Sequence, residues 1–126
     1  MRFFFDNNIS PHLVDILKIL GVDALHLRDV FPTNAKDTEW IPRVGQEGWV
    51  LVTADKNILR NRAERDALRE HRLTTLVLKE TILHKGMWEQ TEWFIKHWQE
   101  IGKDALRLNQ GTCVIVRENG KFDKLP

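Results

Sequence analysis

Cysteine is almost missing from this chain, and its scarcity narrows the field at once. Cys113 is the only one, so a disulfide framework and a cysteine-rich zinc site are both excluded. It sits in the apolar run Cys113-Val114-Ile115-Val116, which predicts a core role. An excess of one charge is missing too. Nineteen basic residues stand against 18 acidic ones, for a net charge of +1. A polyanion site must therefore come from local clustering. No apolar stretch reaches the roughly 18 residues that a membrane span needs. The N-terminus enters a strand without the charged and apolar regions of a secretory signal, so the expectation is a cytoplasmic protein. The histidines, at 12, 26, 71, 84 and 97, form no i,i+4 pair with an acid between them, which argues against zinc. Repeats, linkers and low-complexity tracts are also lacking.

What is present alternates between strand and helix. At 126 residues with 42% hydrophobic content, the chain is read as one domain spanning 1–126. Residues 2–5 read as a buried strand. Ser10-Pro11 starts a helix, with Ser as N-cap and Pro at the first position, and Gly21 stops it. Residues 22–28 read as a second strand. A helix from Asp37 to about Gln46 leads through Gly48 into a third strand, 49–53. Residues 57–71 read as an Arg-rich helix and 73–78 as a fourth strand. A tryptophan-rich helix spans about 87–101, with Trp88, Thr91, Phe94, Ile95 and Trp98 on one face and Trp93 off it. Residues 112–117 and 121–124 form a hairpin around Asn119-Gly120, a two-residue turn signal. The order predicts an α/β fold: a three-layer α/β/α sandwich with a mostly parallel sheet and a C-terminal hairpin.

Two aspartates close hydrophobic strands. Asp6 ends Phe3-Phe4-Phe5, and Asp55 follows Trp49-Val50-Leu51-Val52-Thr53-Ala54. Parallel strands discharge onto the sheet edge where ligands bind. An acid directly after three phenylalanines must be exposed at the strand tip or paired. A turn carboxylate is the plain account of each acid taken alone, since Asn7-Asn8 is turn-like. Asp37 fits a helix N-cap or a third acid on that edge. Glu39 fits either a first-turn acid favoured by the helix dipole or a further ligand. Carboxylates without histidine or cysteine beside them suit a hard cation such as Mg2+ or Mn2+. Thr53 is a candidate hydroxyl for orienting a carboxylate or a water. From Lys56 to Arg72 the bases are Lys56, Arg60, Arg62, Arg65, Arg69 and Arg72, against Glu64, Asp66 and Glu70. That run is either a solvated face or a phosphate-binding surface in which Lys56, Arg60 and Arg62 hold a nucleic-acid backbone.

Three stretches together resemble the PIN-like nucleases. They are Phe4-Phe5-Asp6, Asp37-Thr38-Glu39-Trp40-Ile41, and Gly48-Trp49-Val50-Leu51-Val52-Thr53-Ala54-Asp55-Lys56. The following Asn57–Arg65 segment and Trp88-Glu89-Gln90 are similar to the VapC45-like toxin branch of that family. The resemblance implies a metal-dependent endoribonuclease of the toxin type, with Asp6, Asp37 and Asp55 as the acids that hold Mg2+ or Mn2+. It implies an RNA substrate and a small antitoxin protein as partners, and no membrane. A homodimer is compatible with it. Two positions depart from the family pattern: the glutamate usually brought by an intervening helix is missing between Val30 and Asp37, and Asn57 stands where many members carry an acid. Glu39 is the candidate substitute. The rival reading is a catalytically inactive PIN-like module that binds RNA or protein. A dehalogenase-type phosphatase with Asp6 as nucleophile would want a second aspartate where this chain has Asn8.

Overall fold

The computed structural model describes residues 1–124, apart from the side chain of Leu59. Six strands form one sheet in the order β2-β1-β3-β4-β5-β6. They are β1 (Phe3–Phe5), β2 (Ala24–His26), β3 (Val50–Thr53), β4 (Thr75–Leu78), β5 (Cys113–Val116) and β6 (Phe122–Lys124). The first five run parallel, and β6 returns antiparallel to β5. The helices are α1 (Pro11–Ile19), α2 (Leu27–Val30), α3 (Asp37–Glu47), α4 (Asn57–Arg60), α5 (Arg62–Glu70), α6 (Glu80–Leu83) and α7 (Met87–Leu106). This is the α/β sandwich that the alternation predicts.

The central strands are apolar on both faces because helices cover both. Phe3 and Phe5 join Val50, Val52, Leu76 and Leu78 in a core that α1 and α7 close with Leu13, Leu17, Phe94 and Trp98. Phe4 and Leu51 point the other way, into a second core closed by Trp40, Ile41 and Val44 of α3 and Leu68 of α5. Each fully buried side chain of this size contributes roughly 1.5–3 kcal/mol. That anchoring fixes where β1 and β3 end, and so where Asp6 and Asp55 emerge.

Several sequence expectations need correcting. Trp88 is 77% exposed and Ile95 51%, whereas Trp93 is 6% exposed. The buried stripe of α7 is Trp93, Phe94, Trp98, Ile101 and Ala105. Trp88 lies in the first turn, where its indole donates to Glu92 rather than to the core. Trp93 hides its ring and donates from Nε1 to the Glu118 carbonyl at 2.7 Å. Helix α7 also runs five residues past the expected end at Ile101. The second strand stops at His26, because the His26 ring and the Asp29 carboxylate form a reciprocal cap that starts α2. Cys113 is half-buried rather than core, since β5 turns Val114 and Val116 inward. Burial pushes its thiol up to about 11, so it stays protonated. In the hairpin, Gly120 donates to the Arg117 carbonyl at 2.8 Å and has φ +80°. The turn is therefore centred on Glu118-Asn119 and followed by a left-handed glycine, one residue longer than a two-residue turn.

Candidate active site

The loop after β1 and the loop after β3 are sewn together by side chains. Thr53 is fully buried and donates from Oγ1 to Asp6 Oδ2 at 2.5 Å. Asp6 Oδ1 accepts from the Asn8 backbone N–H at 3.2 Å. Asn8 then reaches across to the other strand. Its Oδ1 accepts from the Ala54 N–H at 3.0 Å, and its Nδ2 donates to Thr53 Oγ1 at 3.4 Å. Thr53 Oγ1 also accepts from the Asp55 N–H at 3.1 Å. Asp55 Oδ1 accepts from the Asn57 N–H at 2.9 Å, which starts α4. Thr53 thus orients Asp6 and positions the backbone of Asp55 at once. Asn8 bridges the two strand ends, a role the sequence did not disclose.

Helix α3 brings Asp37 to the same edge, because a helix that feeds back into β3 begins at the carboxyl ends of the strands. Asp37 is the first residue of that helix. The N-cap is Lys36, not Asp37, and no side-chain cap bond forms there. Asp6, Asp37 and Asp55 line one open cavity of about 320 Å3, with Asn7, Asn8, Leu27, Ala35 and Trp40. Leu27 and Trp40 give it an apolar wall. Glu39, exposed on the first turn of α3, does not line this cavity.

Burial dominates the electrostatics of Asp6, which is 7% exposed. It pushes the carboxyl up from 3.8 to about 7. The bonds from Thr53 and Asn8 oppose the rise, while Asp55 and Asp37 add to it.

Glu64 is the acid that sequence reasoning missed. It stands in the first turn of α5, whose N-terminus also lies on the acid edge. Its carboxyl is raised by burial first, then by Asp37 and Asp55. One carboxylate oxygen, Oε2, is buried with no hydrogen-bond partner. A signal existed: Asn61-Arg62-Ala63-Glu64 has the spacing of an N-cap followed by a third-position glutamate. Asn61 does cap α5, accepting from the Ala63 and Glu64 N–H groups at 3.0 and 3.4 Å, and so splits the expected 57–71 helix in two.

The basic run divides as well. Lys56 is tied to Glu80 at 2.9 Å. Arg65 lines a separate hollow with Gly111, Thr112 and Cys113. Arg60 and Arg62 are exposed, and Arg62 reaches Asp66 only at 3.9 Å.

The sequence model of the PIN-like domain matches residues 1–80, which include every residue of this acid edge. The chain belongs to the PIN-like domain family. Members of this family are generally nucleases. No curated protein matches the chain, and no solved structure does. Strands β5 and β6, which extend the sheet of this PIN-like protein, and helix α7 lie beyond the matched span.

The donors of the edge are all oxygens, the kind that Mg2+ and Mn2+ prefer. A carboxyl held up near 7 by burial and two like charges is one that a cation would relieve. Among the described residues, however, no three acidic, histidine or cysteine side chains come together tightly enough to hold an ion unaided. The edge fits such a cation in kind and in charge, with water left to complete its coordination.

Proposed function

We propose that this PIN-like protein is a metal-dependent endoribonuclease and the toxin of a type II toxin-antitoxin pair. The supporting observation is the single cavity lined by Asp6, Asp37 and Asp55 in a chain of a nuclease family. Asp6 and Asp55, with Asp37 across the cavity, would hold Mg2+ or Mn2+. The cation, when bound, lowers the pKa of water and stabilises charge on the phosphate. The protein's own part is positioning. Thr53 and Asn8 hold the two strand-end acids in register, and the wall of Leu27 and Trp40 keeps the dielectric low around Asp6. Asp6 must be ionised to act, so its raised pKa couples activity to pH.

The RNA backbone would be held by the exposed Arg60 and Arg62 on α4 and α5, the two helices that follow Asp55 in the chain. Replacing either with alanine is expected to weaken RNA binding and to lower the salt slope of log Kd by about one for each phosphate that is no longer neutralised. Filter binding across a salt series reads this directly, and an unchanged slope would return both residues to the solvent.

The antitoxin reading gains an apolar anchor from α7. Trp88 and Ile95 are exposed and seven residues apart, hence on one helical face. The toxin reading is tested by expression. The wild-type chain alone should arrest growth, Asp55→Asn should not, and a coexpressed small partner should restore growth. Harmless overexpression of a soluble wild-type chain would contradict it. The rival, an inactive PIN-like binding module, draws on the open spacing of the acids and on Asn57.

A further inference from the structure

Helix α5 carries a stripe of arginine. Arg62, Arg65 and Arg69 follow one another at spacings of three and four residues, which sets them on one helical face. The helix starts where Glu64 feels the charges of Asp37 and Asp55. It then returns between the parallel strands β3 and β4, a path of ~13 Å for its length. Its far end lies at the opposite edge of the sheet, where β4 and β5 begin. A hollow of about 250 Å3 opens there between α5 and Cys113, the first residue of β5. Arg65, Arg69 and Lys124 are the charged groups of its lining, and Leu68 and Leu73 add apolar surface.

The charge of this hollow is of one sign. Glu64 and Glu70 line the hollow between α3 and α5 instead, and Asp66 reaches toward Arg62. Among the described residues neither Arg65 nor Arg69 forms an ion pair, so both guanidinium groups are open to a ligand. Arg65 lies close enough to Cys113 for its charge to act on the thiol. No residue of β5 joins the core under α3 and α5, so the sheet is uncovered beside the stripe. An arginine fork matches two phosphate oxygens at once. A basic groove that tracks the backbone is how single strands are held without regard to sequence. An acidic polypeptide has the same sign of charge. The stripe, however, begins on the helix turn that meets the edge assigned to the phosphodiester, so a strand seated at that edge has its backbone led onto the arginines.

We infer that the groove between α5 and the start of β5 is a second anchor for single-stranded RNA, where Arg65 and Arg69 hold the phosphate backbone at the sheet edge opposite the acids. This rests on the reading of RNA as the substrate, yet it is tested without cleavage. The full-length protein, in chelator, is titrated with a labelled oligouridylate and followed by fluorescence anisotropy. In parallel, Cys113, the single thiol of the chain and part of the groove lining, is alkylated with iodoacetamide at mildly alkaline pH with and without the RNA. RNA should slow that alkylation several-fold. Arg65→Ala combined with Arg69→Ala should weaken binding about tenfold or more and lower the salt slope of log Kd by about one for each arginine. Lysine at both positions should restore the slope. Unchanged affinity and slope in the double alanine variant, or alkylation that RNA does not slow, would overturn the inference. So would stronger protection of Cys113 by a polyglutamate peptide, which would give the groove to an acidic polypeptide. Cleavage assays in Mn2+ separate the two readings. Cutting by a protein whose RNA affinity ignores Arg65 and Arg69 sinks the anchor alone. Protection of Cys113 by RNA in a protein that cuts nothing sustains the anchor and sinks the nuclease.

Discussion

Asp6→Asn is expected to reduce metal-dependent RNA cleavage by ~10³-fold or more, since it removes a carboxylate from the cation and several kcal/mol of charge stabilisation with it. The same change should stabilise the metal-free protein at pH 8. Asp6 has a folded-state pKa of about 7 against 3.8 as its ordinary value. An acid raised in this way lends stability that is fully present below its unfolded pKa and is lost as pH rises through the folded one. The loss between about pH 4 and pH 8 is on the order of 4 kcal/mol. Asparagine carries no charge to desolvate, though it weakens the bond from Thr53 by about 1 kcal/mol. The net gain at pH 8 corresponds to roughly 10 °C in Tm, and it should vanish near pH 4. Thermal melts at the two pH values check this. A fall in Tm at pH 8 with cleavage retained would make Asp6 a structural acid.

Cation affinity should carry the same titration. A proton and Mn2+ compete for Asp6, so binding below pH 7 must displace the proton. The apparent Kd for Mn2+ is expected to rise about tenfold for each pH unit below 7, and to level off above pH 7.5. Isothermal titration at pH 5, 6 and 8 reads the slope. The slope should disappear in Asp6→Asn, where no proton is displaced. A Kd constant from pH 5 to 8 in the wild-type chain would take Asp6 out of the cation site.

The part of this site that lies on strands could be read from the sequence. Phe3-Phe4-Phe5 before Asp6 and Val50–Thr53 before Asp55 are continuous apolar runs, which only a two-sided buried strand explains, and their ends follow from their length. Asp37 was legible as the opening acid of an amphipathic helix, although its exact place, one residue inside the cap, was not. Glu64 was hidden by its neighbours. In an Arg-rich run whose apolar stripe is only Ala63, Ala67 and Leu68, one acid among three does not stand out, and the cap at Asn61 is what places it in the first turn of α5. Asn8 was hidden because its bonds to Thr53 and Ala54 cross 45 and 46 residues of chain. Trp88 and Trp93 were exchanged for a different reason. A 20-residue helix offers several apolar stripes, and the sheet beneath α7 selects the one through Trp93, Phe94 and Trp98.

On the function proposed above, the acid edge cuts RNA with a divalent cation. Purified wild-type protein and Asp55→Asn, prepared identically, are incubated with total RNA in Mn2+ or in a chelator, and the products are sized. Discrete fragments from the wild type in Mn2+, absent with the chelator and absent with Asp55→Asn, are the predicted result. Intact RNA in every lane, or equal cleavage by Asp55→Asn, would contradict it.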